Sequence, residues 1–274
     1  MTTGQVRASS EWLALRETAD AAARAPELVD EVRSYLSATG GVTVHDLGCG
    51  TGSMARWLAV RLAGPQHWVM YDRDADLLVP AAADPPEKAS DNTPVTTETR
   101  LRDITRLDVG HLSGASLITA SALLDMMTVQ ELGRLVAICA AAGCPVLITL
   151  SVTGRVDLTP TDPFDQRVAD AFNAHQRRAT VAGKLLGPDA VGAAVDRFER
   201  LGRETLVRPS PWRLGPQHAA LATEWFTGWV TAAYEQQPEL GEAAASYAQR
   251  RLAEAAAGRL SVTVDHLDLL VRPK

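Results

Sequence analysis

The feature that most constrains this chain is a turn that holds three glycines within five residues. Gly48, Gly50 and Gly52 follow an apolar run at 42–47, and residues 53–62 then have helical composition. Glycine adopts positive φ and allows a ligand to approach the backbone closely. The first N–H groups of the following helix point at the turn and are free to bind a ligand. The sequence therefore predicts a strand, a ligand-binding turn and a helix; a tight turn without a ligand is the alternative.

Short apolar runs continue beyond the turn and alternate with segments of helical composition. Strands are predicted at 67–71, 96–102, 116–120 and 146–150, with helices at 73–82 and 129–142. Strands that alternate with helices at short spacing are typical of a parallel, doubly wound sheet. Such strands are apolar on both faces because helices cover both sides of the sheet. The first half of the chain is therefore predicted to be α/β.

The pattern changes after residue 150, where long polar and alanine-rich segments replace the short apolar runs. Two helices are also predicted before the sheet: Ser10 is the expected cap of the first, and Pro26 starts the second. A break is predicted at 39–41. After residue 150, helices are predicted at 163–178, 188–201 and 216–258, and strands at 204–207 and 261–271.

Composition limits the classes of function. The formal net charge of −6 and the pI of about 5.5 argue against a nucleic-acid partner, which usually needs a basic face. The three cysteines have neither zinc-knuckle nor CxxC spacing, and the six histidines have no metal-ligand spacing. The longest apolar run, at 135–150, is too short and too broken for a membrane helix, and the N-terminus lacks a signal core. We expect a cytoplasmic protein that binds neither a metal nor a membrane.

An acid at the end of the second strand narrows the choice of ligand. Asp72 lies twenty residues after Gly52, where a carboxylate can accept hydrogen bonds from both ribose hydroxyls of an adenosine. Two classes of cofactor have such a site. A dinucleotide prefers the pattern GxGxxG, which Ser53 interrupts at its last position. The other class is S-adenosylmethionine, which has a sulfonium and an aminocarboxylate and lacks the pyrophosphate.

The turn HDLGCGTGS resembles motif I of the class I S-adenosylmethionine-dependent methyltransferases, with Asp46 two residues before Gly48 as in that motif. Three later segments resemble the family's other motifs and occur in the family's order. They are YDRD at 71–74, LRDIT at 101–105 and ASALLDMMT at 120–128. The resemblance implies a Rossmann-like α/β fold, with a doubly wound, mostly parallel seven-stranded sheet, helices on both faces and an added helical cap.

The resemblance also implies roles for individual residues. The implied cofactor is S-adenosyl-L-methionine, with S-adenosyl-L-homocysteine as its product. Asp72 would bind the ribose, Asp103 the exocyclic amine of adenine, and Ile104 the adenine ring. A basic residue of an N-terminal helix, Arg24 or Arg16, would meet the methionine carboxylate, although a solvated helix is the favoured interpretation of that segment. The implied cofactor-binding residues are Asp46, Gly48, Gly50, Gly52, Asp72, Arg73, Asp103, Ile104, Ser121 and Arg24.

Two residues are candidates for a general base. Asp125 follows the fourth strand, in the segment that lines the reaction centre in the family; a helix cap or an exposed loop acid is the alternative. His175 lies on the apolar face of the predicted helix at 163–178, where a structural histidine is the alternative. That helix has three arginines that could attract an anionic substrate or form a solvated face: Arg167, Arg177 and Arg178.

An apolar stripe lies on the predicted helix after Pro216. It is interpreted as core, with an aromatic wall of the acceptor site as the alternative. The stripe consists of Leu221, Trp225, Trp229, Ala233 and Tyr234.

We divide the predicted chain into three parts. They are an N-terminal helical segment (1–40), the cofactor-binding half of the Rossmann-like domain (41–151), and helical insertions with the last strands of the same sheet (152–274). The predicted function is direct transfer of a methyl group to a small-molecule metabolite. The alternatives are an RNA methyltransferase, a nicotinamide-dependent reductase and a cofactor-binding protein without catalysis. Neither the acceptor nor the oligomeric state follows from the sequence.

Overall fold

The first half of the chain forms five parallel strands. The structure is a computed structural model that describes residues 8–36 and 40–274, so the predicted break at Thr39 lies outside the described residues. The strands stand side by side in the order β3-β2-β1-β4-β5, and every neighbouring pair is parallel. They are β1 (Val42–Leu47), β2 (Gln66–Asp72), β3 (Val95–Leu101), β4 (Leu117–Ser121) and β5 (Val146–Thr159).

The second half of the chain completes the same sheet. Its last strand, at 261–271, is antiparallel to β5 on one side and to a strand at 205–209 on the other. The main path of the sheet therefore has seven strands in the described part of the chain. A short additional strand pairs with one end of the last strand. A separate two-stranded ribbon lies outside the sheet. These strands are β6 (Ala179–Thr180), β7 (Gly183–Lys184), β8 (Thr205–Pro209), β9 (Trp212–Leu214) and β10 (Ser261–Val271).

Helices cover both faces of the parallel half, as the resemblance implies. The longest of them begins at a capping box in which Thr128 and Glu131 satisfy each other's backbone N–H groups, and it ends at Gly143 with φ of 78°. Its bounds match the predicted helix at 129–142. The covering helices are α3 (Ser53–Ala59), α4 (Ala75–Ala83), α5 (Val129–Ala142) and α7 (Ala190–Arg200).

Two helices precede the sheet, α1 (Ser10–Ala23) and α2 (Pro26–Leu36). The cap of α1 is Ser9 and not Ser10, because the Ser9 hydroxyl accepts a hydrogen bond from the backbone N–H of Trp12 at 3.1 Å. Pro26 is the first residue of α2, as predicted. Proline suits this position because the first helical N–H has no partner within the helix.

The remaining helices pack against one another around a hydrophobic cluster of their own. They are α6 (Asp165–Gln176), α8 (Ala219–Gln236) and α9 (Gly241–Ala256). Leu221, Trp229 and Ala233 are buried in this cluster, which confirms the interpretation of the stripe as core for these three residues. Trp225 is half-buried and stacks on Trp229 with ring centroids 5.3 Å apart, whereas Tyr234 is exposed. No helix among the described residues is both long and apolar enough to cross a membrane.

Strand β5 is much longer than the predicted 146–150. It pairs with β10 along its whole length, from Val146 opposite Val271 to Thr159 opposite Ser261. Its second half is mostly polar or half-exposed, so its sequence lacks the apolar signal of a buried strand. Residues 151–159 become a strand because they pair with β10, which is distant in the sequence. The local sequence of these residues carries no information about that pairing.

One buried carboxylate joins the N-terminal helices to the end of the sheet. Asp268 of β10 accepts hydrogen bonds from the backbone N–H of Ala25 (2.8 Å), the backbone N–H of Leu150 (2.8 Å) and the hydroxyl of Ser210 (2.6 Å). Its side chain is buried, and burial raises its pKa above the usual value while these three donors lower it. One acceptor group is therefore shared by Ala25 between α1 and α2, Leu150 in β5 and Ser210 before β9.

Replacing this carboxylate by an amide tests its role in stability. We expect Asp268→Asn to lower the free energy of unfolding by roughly 2–4 kcal/mol, because the amide nitrogen faces a donor and leaves buried N–H groups unpaired. Urea unfolding measures the change. Asp265→Asn on the same strand is the control, since its carboxylate makes a half-exposed pair with Arg155 at 3.7 Å and should change stability by less than about 0.5–1 kcal/mol. Equal losses in both variants would contradict the role of Asp268.

Candidate functional site

The glycine turn lies at the carboxyl end of β1 and has the predicted backbone conformation. Gly48, Gly50 and Gly52 have φ of 70°, 54° and 86°, which L side chains rarely adopt. A Cβ atom on Gly48 would lie 3.1 Å from Leu123 Cδ1, and one on Gly50 would lie 3.1 Å from Leu13 Cδ1. The turn therefore needs glycine for both its conformation and the close approach of two leucines.

Helix α1 crosses this turn and is held there by charged and polar contacts. The Glu17 carboxylate accepts two hydrogen bonds from the Arg56 guanidinium, both at 2.7 Å. Arg56 also donates to the carbonyl of Thr51 in the turn at 2.8 Å. The indole N–H of Trp57 donates to the carbonyl of Ala21 at 3.1 Å. These contacts link α1 to α3 and to the glycine turn.

Asp72 lies where the resemblance places the ribose-binding acid, at the end of β2. One carboxylate oxygen accepts the backbone N–H of Gly50 and the other that of Asp74, both at 2.9 Å. The acid is therefore oriented against the glycine turn, with lone pairs left for further donors. Arg73, which follows it, is exposed.

Asp46 is buried beneath the turn. One oxygen accepts a hydrogen bond from the Thr119 hydroxyl at 2.7 Å, and the other, Oδ2, has no partner among the described residues. Burial raises the pKa of Asp46 to about 7, while the Thr119 hydrogen bond and Arg24 favour its charged form. A buried carboxylate with one unpaired oxygen can accept a donor from a ligand.

Arg24 is the matching cation, at the end of α1. One of its nitrogens, Nη2, donates to the hydroxyls of Ser53 (3.1 Å) and Ser121 (3.2 Å), while Nε and Nη1 have no partner among the described residues. The guanidinium also lies over the Trp57 ring, 5.1 Å from its centroid. Burial lowers the pKa of Arg24, and Asp20 opposes that effect. The favoured interpretation of α1 as a solvated helix is wrong, because Asp20 and Arg24 are buried.

Arg16 forms an ion pair with Asp20, four residues further along α1. Arg16 Nε lies 2.9 Å from Asp20 Oδ2, and its guanidinium lies over the Trp212 ring at 4.8 Å and the Trp12 ring at 5.8 Å. The Trp212 indole donates to Asp20 at 2.9 Å. Arg16 therefore has a fixed position between α1 and β9.

The residues predicted to hold adenine lie at the end of β3. Asp103 accepts hydrogen bonds from the N–H (3.0 Å) and hydroxyl (2.7 Å) of Thr105, and Ile104 is buried. A groove of about 400 Å³ opens beside Asp103. The other groove-lining residues include Arg73, Arg106, Glu131 and Arg134.

Asp125, one of the two predicted bases, lies in the 3-10 turn after β4 and is half-buried. Burial raises its pKa to about 6, although Arg16 and Arg178 favour its charged form. Ala122 in the same segment has φ of 50°, which is rare for a residue with a side chain. A carboxylate with a pKa near neutrality is suited to accept a proton at physiological pH.

His175, the other predicted base, lies between α6 and α8. Its Nε2 is 3.5 Å from a carboxylate oxygen of Glu235, and its Nδ1 is 3.5 Å from Arg178. Burial and then Arg178 lower its pKa, while Glu235 raises it. These contacts are those of a histidine in a helix–helix interface, and its catalytic role stays a prediction. No group of three or more His, Cys, Asp or Glu that could hold a metal occurs among the described residues.

Three residues of this region did not appear among the sequence candidates. Asp268 is an acid inside the apolar end of a strand, and that contrast is a signal that sequence reasoning could have used. Thr119 and His266 give no such signal, because buried threonines and histidines are common in strands. His266 is buried 5.4 Å from the Trp212 ring centroid, and its Nδ1 has no partner in the described part of the chain. Burial and Arg16 lower its pKa to about 3.

Comparison with known proteins informs the fold. No protein-family model and no curated protein matches the sequence. The YcgJ protein from Bacillus subtilis aligns with a TM-score of 0.50 at 12% identity, over 91% of this chain and 100% of that one. The cyclopropane synthase MmaA2 from Mycobacterium tuberculosis aligns with a TM-score of 0.47 at 13% identity, over 90% and 84%. A SAM-dependent methyltransferase from Thiobacillus denitrificans, in complex with S-adenosyl-L-homocysteine, has a TM-score of 0.46 at 13% identity, over 98% and 100%.

At these identities the likeness concerns the fold alone. The strand order β3-β2-β1-β4-β5-β10-β8, with β10 antiparallel to both neighbours, agrees with it. The chain has a Rossmann-like α/β fold with a mostly parallel seven-stranded main sheet among the described residues. The predicted fold class is thereby confirmed, while the roles of the individual site residues stay predictions.

The raised pKa of Asp46 predicts an effect of pH on stability. In the unfolded chain Asp46 loses its proton near pH 4, whereas in the folded protein it keeps the proton up to about pH 7. Its contribution is therefore present at low pH and is lost as pH rises toward 7. We expect wild-type stability relative to Asp46→Asn to fall by roughly 2–3 kcal/mol between pH 5 and 7.

Urea unfolding of both proteins at each pH measures this difference. The asparagine oxygen can still accept the Thr119 hydroxyl, so the comparison isolates the titration of the carboxyl group. Asp108→Asn, at an exposed acid whose pKa is lowered by His111, is the control and should not reproduce the trend. A difference between wild type and Asp46→Asn that is constant with pH would show that Asp46 is ionised throughout.

Proposed function

We propose that this protein is an S-adenosylmethionine-dependent methyltransferase that acts on a small molecule. The observation that carries the proposal is a buried guanidinium and a buried carboxyl group beside the glycine turn, each with hydrogen-bonding atoms that have no partner among the described residues. Arg24 has two free N–H-bearing nitrogens and Asp46 has one free oxygen. The methionine end of the cofactor has a carboxylate and an ammonium, which are the two groups that would satisfy them.

The other groups around the turn fit the rest of the same ligand. Asp72 would accept the ribose hydroxyls, because its carboxylate is already aimed at the turn by Gly50. Asp103 and Ile104 would hold the adenine at the end of β3, next to the groove of about 400 Å³. A dinucleotide fits less well, since Ser53 interrupts the pattern GxGxxG at its last position.

Asp125 supplies the acid–base chemistry of the proposed reaction. The bound cofactor supplies a methyl group on a positively charged sulfur, which a nucleophile can attack without further activation. Asp125 would accept the proton of an O–H, N–H or activated C–H acceptor as the new bond to the methyl carbon forms. The products would be the methylated acceptor, S-adenosylhomocysteine and one proton, which Asp125 would accept and then release to solvent.

A small acceptor is favoured over RNA by the surface around the site. Helix α1 lies across the turn. The ribbon β6–β7 is followed by Leu186, whose backbone N–H donates to the Met127 carbonyl in the segment after β4 at 2.8 Å. The groove at the adenine end has three arginines, Arg73, Arg106 and Arg134, but also Asp103 and Glu131. It is a mixed surface and not the continuous basic face that RNA binding needs.

Calorimetric titration tests the proposed function. S-adenosylmethionine, S-adenosylhomocysteine and NADH are titrated separately into the full-length protein. Saturable binding of the first two in roughly the micromolar range, without binding of NADH, is the expected result. Binding of NADH alone would instead favour the reductase alternative, and binding of none of the three would overturn the assignment of the glycine turn.

A matched pair of glycine variants separates cofactor binding from backbone strain. Gly50→Ala and Gly64→Ala both place a side chain at positive φ, and each should lose roughly 1–2 kcal/mol of stability. A Cβ on Gly64 meets nothing within 4 Å, whereas one on Gly50 meets Leu13 in the proposed site. We expect only Gly50→Ala to weaken S-adenosylhomocysteine binding, by at least about tenfold. Equal binding by the two variants would remove Gly50 from the site.

The raised pKa of Asp125 predicts the pH dependence of catalysis. A base must be ionised, so kcat/KM should rise with pH through about 6, the pKa of Asp125. Carbon-13 NMR of the side-chain carboxyl groups should show one signal that titrates near that pH and is missing in Asp125→Asn. Asp91→Asn, at an exposed acid whose pKa is lowered by Thr93, should leave the signal and the rate profile unchanged. An unaltered profile in Asp125→Asn would exclude Asp125 as the base.

A further inference from the structure

The C-terminal end of α6 is joined to the turn that holds Asp125. The backbone N–H of Leu185 donates to the Arg178 carbonyl at 3.1 Å, and Leu185 also forms a β-bridge with Thr128. The next residue, Leu186, donates its N–H to the Met127 carbonyl at 2.8 Å. Two backbone contacts thus place Arg178 beside the segment after β4. The position of its side chain is set by the same elements that carry the proposed base.

Arg178 differs from its neighbour Arg177 in how its charge is used. Arg177 donates two hydrogen bonds to Asp189, at 2.6 and 2.7 Å. Arg178 donates to the carbonyl of His175 at 3.1 Å and forms no ion pair with a carboxylate in the described ranges. It is half-buried. A partly buried guanidinium without a carboxylate partner keeps most of its capacity to bind an anion.

Arg16 lies near the same acid on the side of α1. Leu13, one helical turn before it, lies against the glycine turn, and Leu123, two residues before Asp125, lies against the same turn. Asp20 neutralises Arg16, and the rings of Trp12 and Trp212 hold its guanidinium in place. The charge of Arg16 is therefore committed to Asp20, whereas Arg178 has no carboxylate partner among the described residues.

The charges around Asp125 agree with this difference between Arg16, which is paired with Asp20, and Arg178, which has no carboxylate partner among the described residues. Arg16 and Arg178 are the two cations that favour its ionised form, whereas His266 is neutral at physiological pH because burial and Arg16 lower its pKa. When Asp125 takes up a proton from the acceptor, Arg178 is left as an uncompensated positive charge. An anionic group on the acceptor would compensate it.

We propose that the methyl acceptor is an anionic small molecule with a carboxylate or similar oxyanion, and that Arg178 is the residue that binds this group. The proposal rests on the proposed methyltransferase function and narrows its substrate class. Arg178 acts as a specificity residue: it selects charged over neutral acceptors and sets their orientation toward Asp125.

Benzoate and benzamide are suitable probes because they share a planar ring and differ in charge. The protein is first saturated with S-adenosylhomocysteine, and each probe is then titrated while tryptophan fluorescence and heat are recorded. We expect benzoate to bind with a dissociation constant in roughly the millimolar range, and benzamide at least about fivefold more weakly. Equal affinities for the two probes, or no saturable binding of benzoate, would overturn the proposal.

Variants of Arg178, which follows α6, and of Arg167, which lies on α6, locate the effect. Arg178→Gln should weaken benzoate binding by about fivefold or more without changing benzamide binding, and Arg178→Lys should restore part of the loss. Arg167→Gln is the matched control, since Arg167 is exposed on α6 and lies over Phe164. Unchanged benzoate binding in Arg178→Gln would overturn the assignment of Arg178.

The same experiment separates this proposal from the proposed function. S-adenosylhomocysteine binding is measured first for every variant, and urea midpoints show that each variant is folded. Failure of the wild-type protein to bind S-adenosylhomocysteine would overturn the methyltransferase function itself. Normal binding of S-adenosylhomocysteine with no preference for benzoate would overturn only the anionic acceptor.

Discussion

The arrangement of the site depends on the hydrogen bonds that the Asp268 carboxylate accepts. It accepts the N–H of Ala25, and Ala25 directly follows Arg24, the buried cation of the site. It also accepts the N–H of Leu150, where β5 has φ of 58° and continues into its polar half. One acceptor thus fixes the end of α1 and the path of β5. A buried carboxylate is costly unless it is hydrogen-bonded, and three donors offset that cost here.

The turn region buries a guanidinium and a carboxyl group whose hydrogen bonds are incomplete among the described residues. Arg24 and Asp46 each keep unpaired atoms although both are buried, which lowers stability relative to an apolar core. The three glycines and the positive φ of Ala122 add backbone conformations that L side chains rarely adopt. Proteins keep such features where a ligand uses them.

The fold could be predicted from the sequence where burial is periodic and local. The predicted bounds of β1, α5 and β10 agree with the structure. Each is an apolar or capped segment that can be recognised from its own residues alone. The second half of β5 could not be predicted, since its polar residues become a strand only through pairing with β10. The burial of Arg24 was missed for a similar reason. Its partners Ser53, Ser121 and Trp57 come from distant elements. Without them, a charged residue at the end of an alanine-rich helix is predicted to be exposed to solvent.

The hydrogen bond between Ala25 and Asp268 spans 243 positions of the chain. Closing so long a loop has an entropic cost, and a contact between such distant residues raises the contact order of the fold. During synthesis the parallel strands emerge before β10 does, so α1 lies without its anchor while most of the sheet can already assemble. The ligand-binding end of α1 is thus completed only when the last strand is added. A ribosome-bound chain that ends before β10 would have the glycine turn and the central strands, yet it would lack the anchor that orients Arg24.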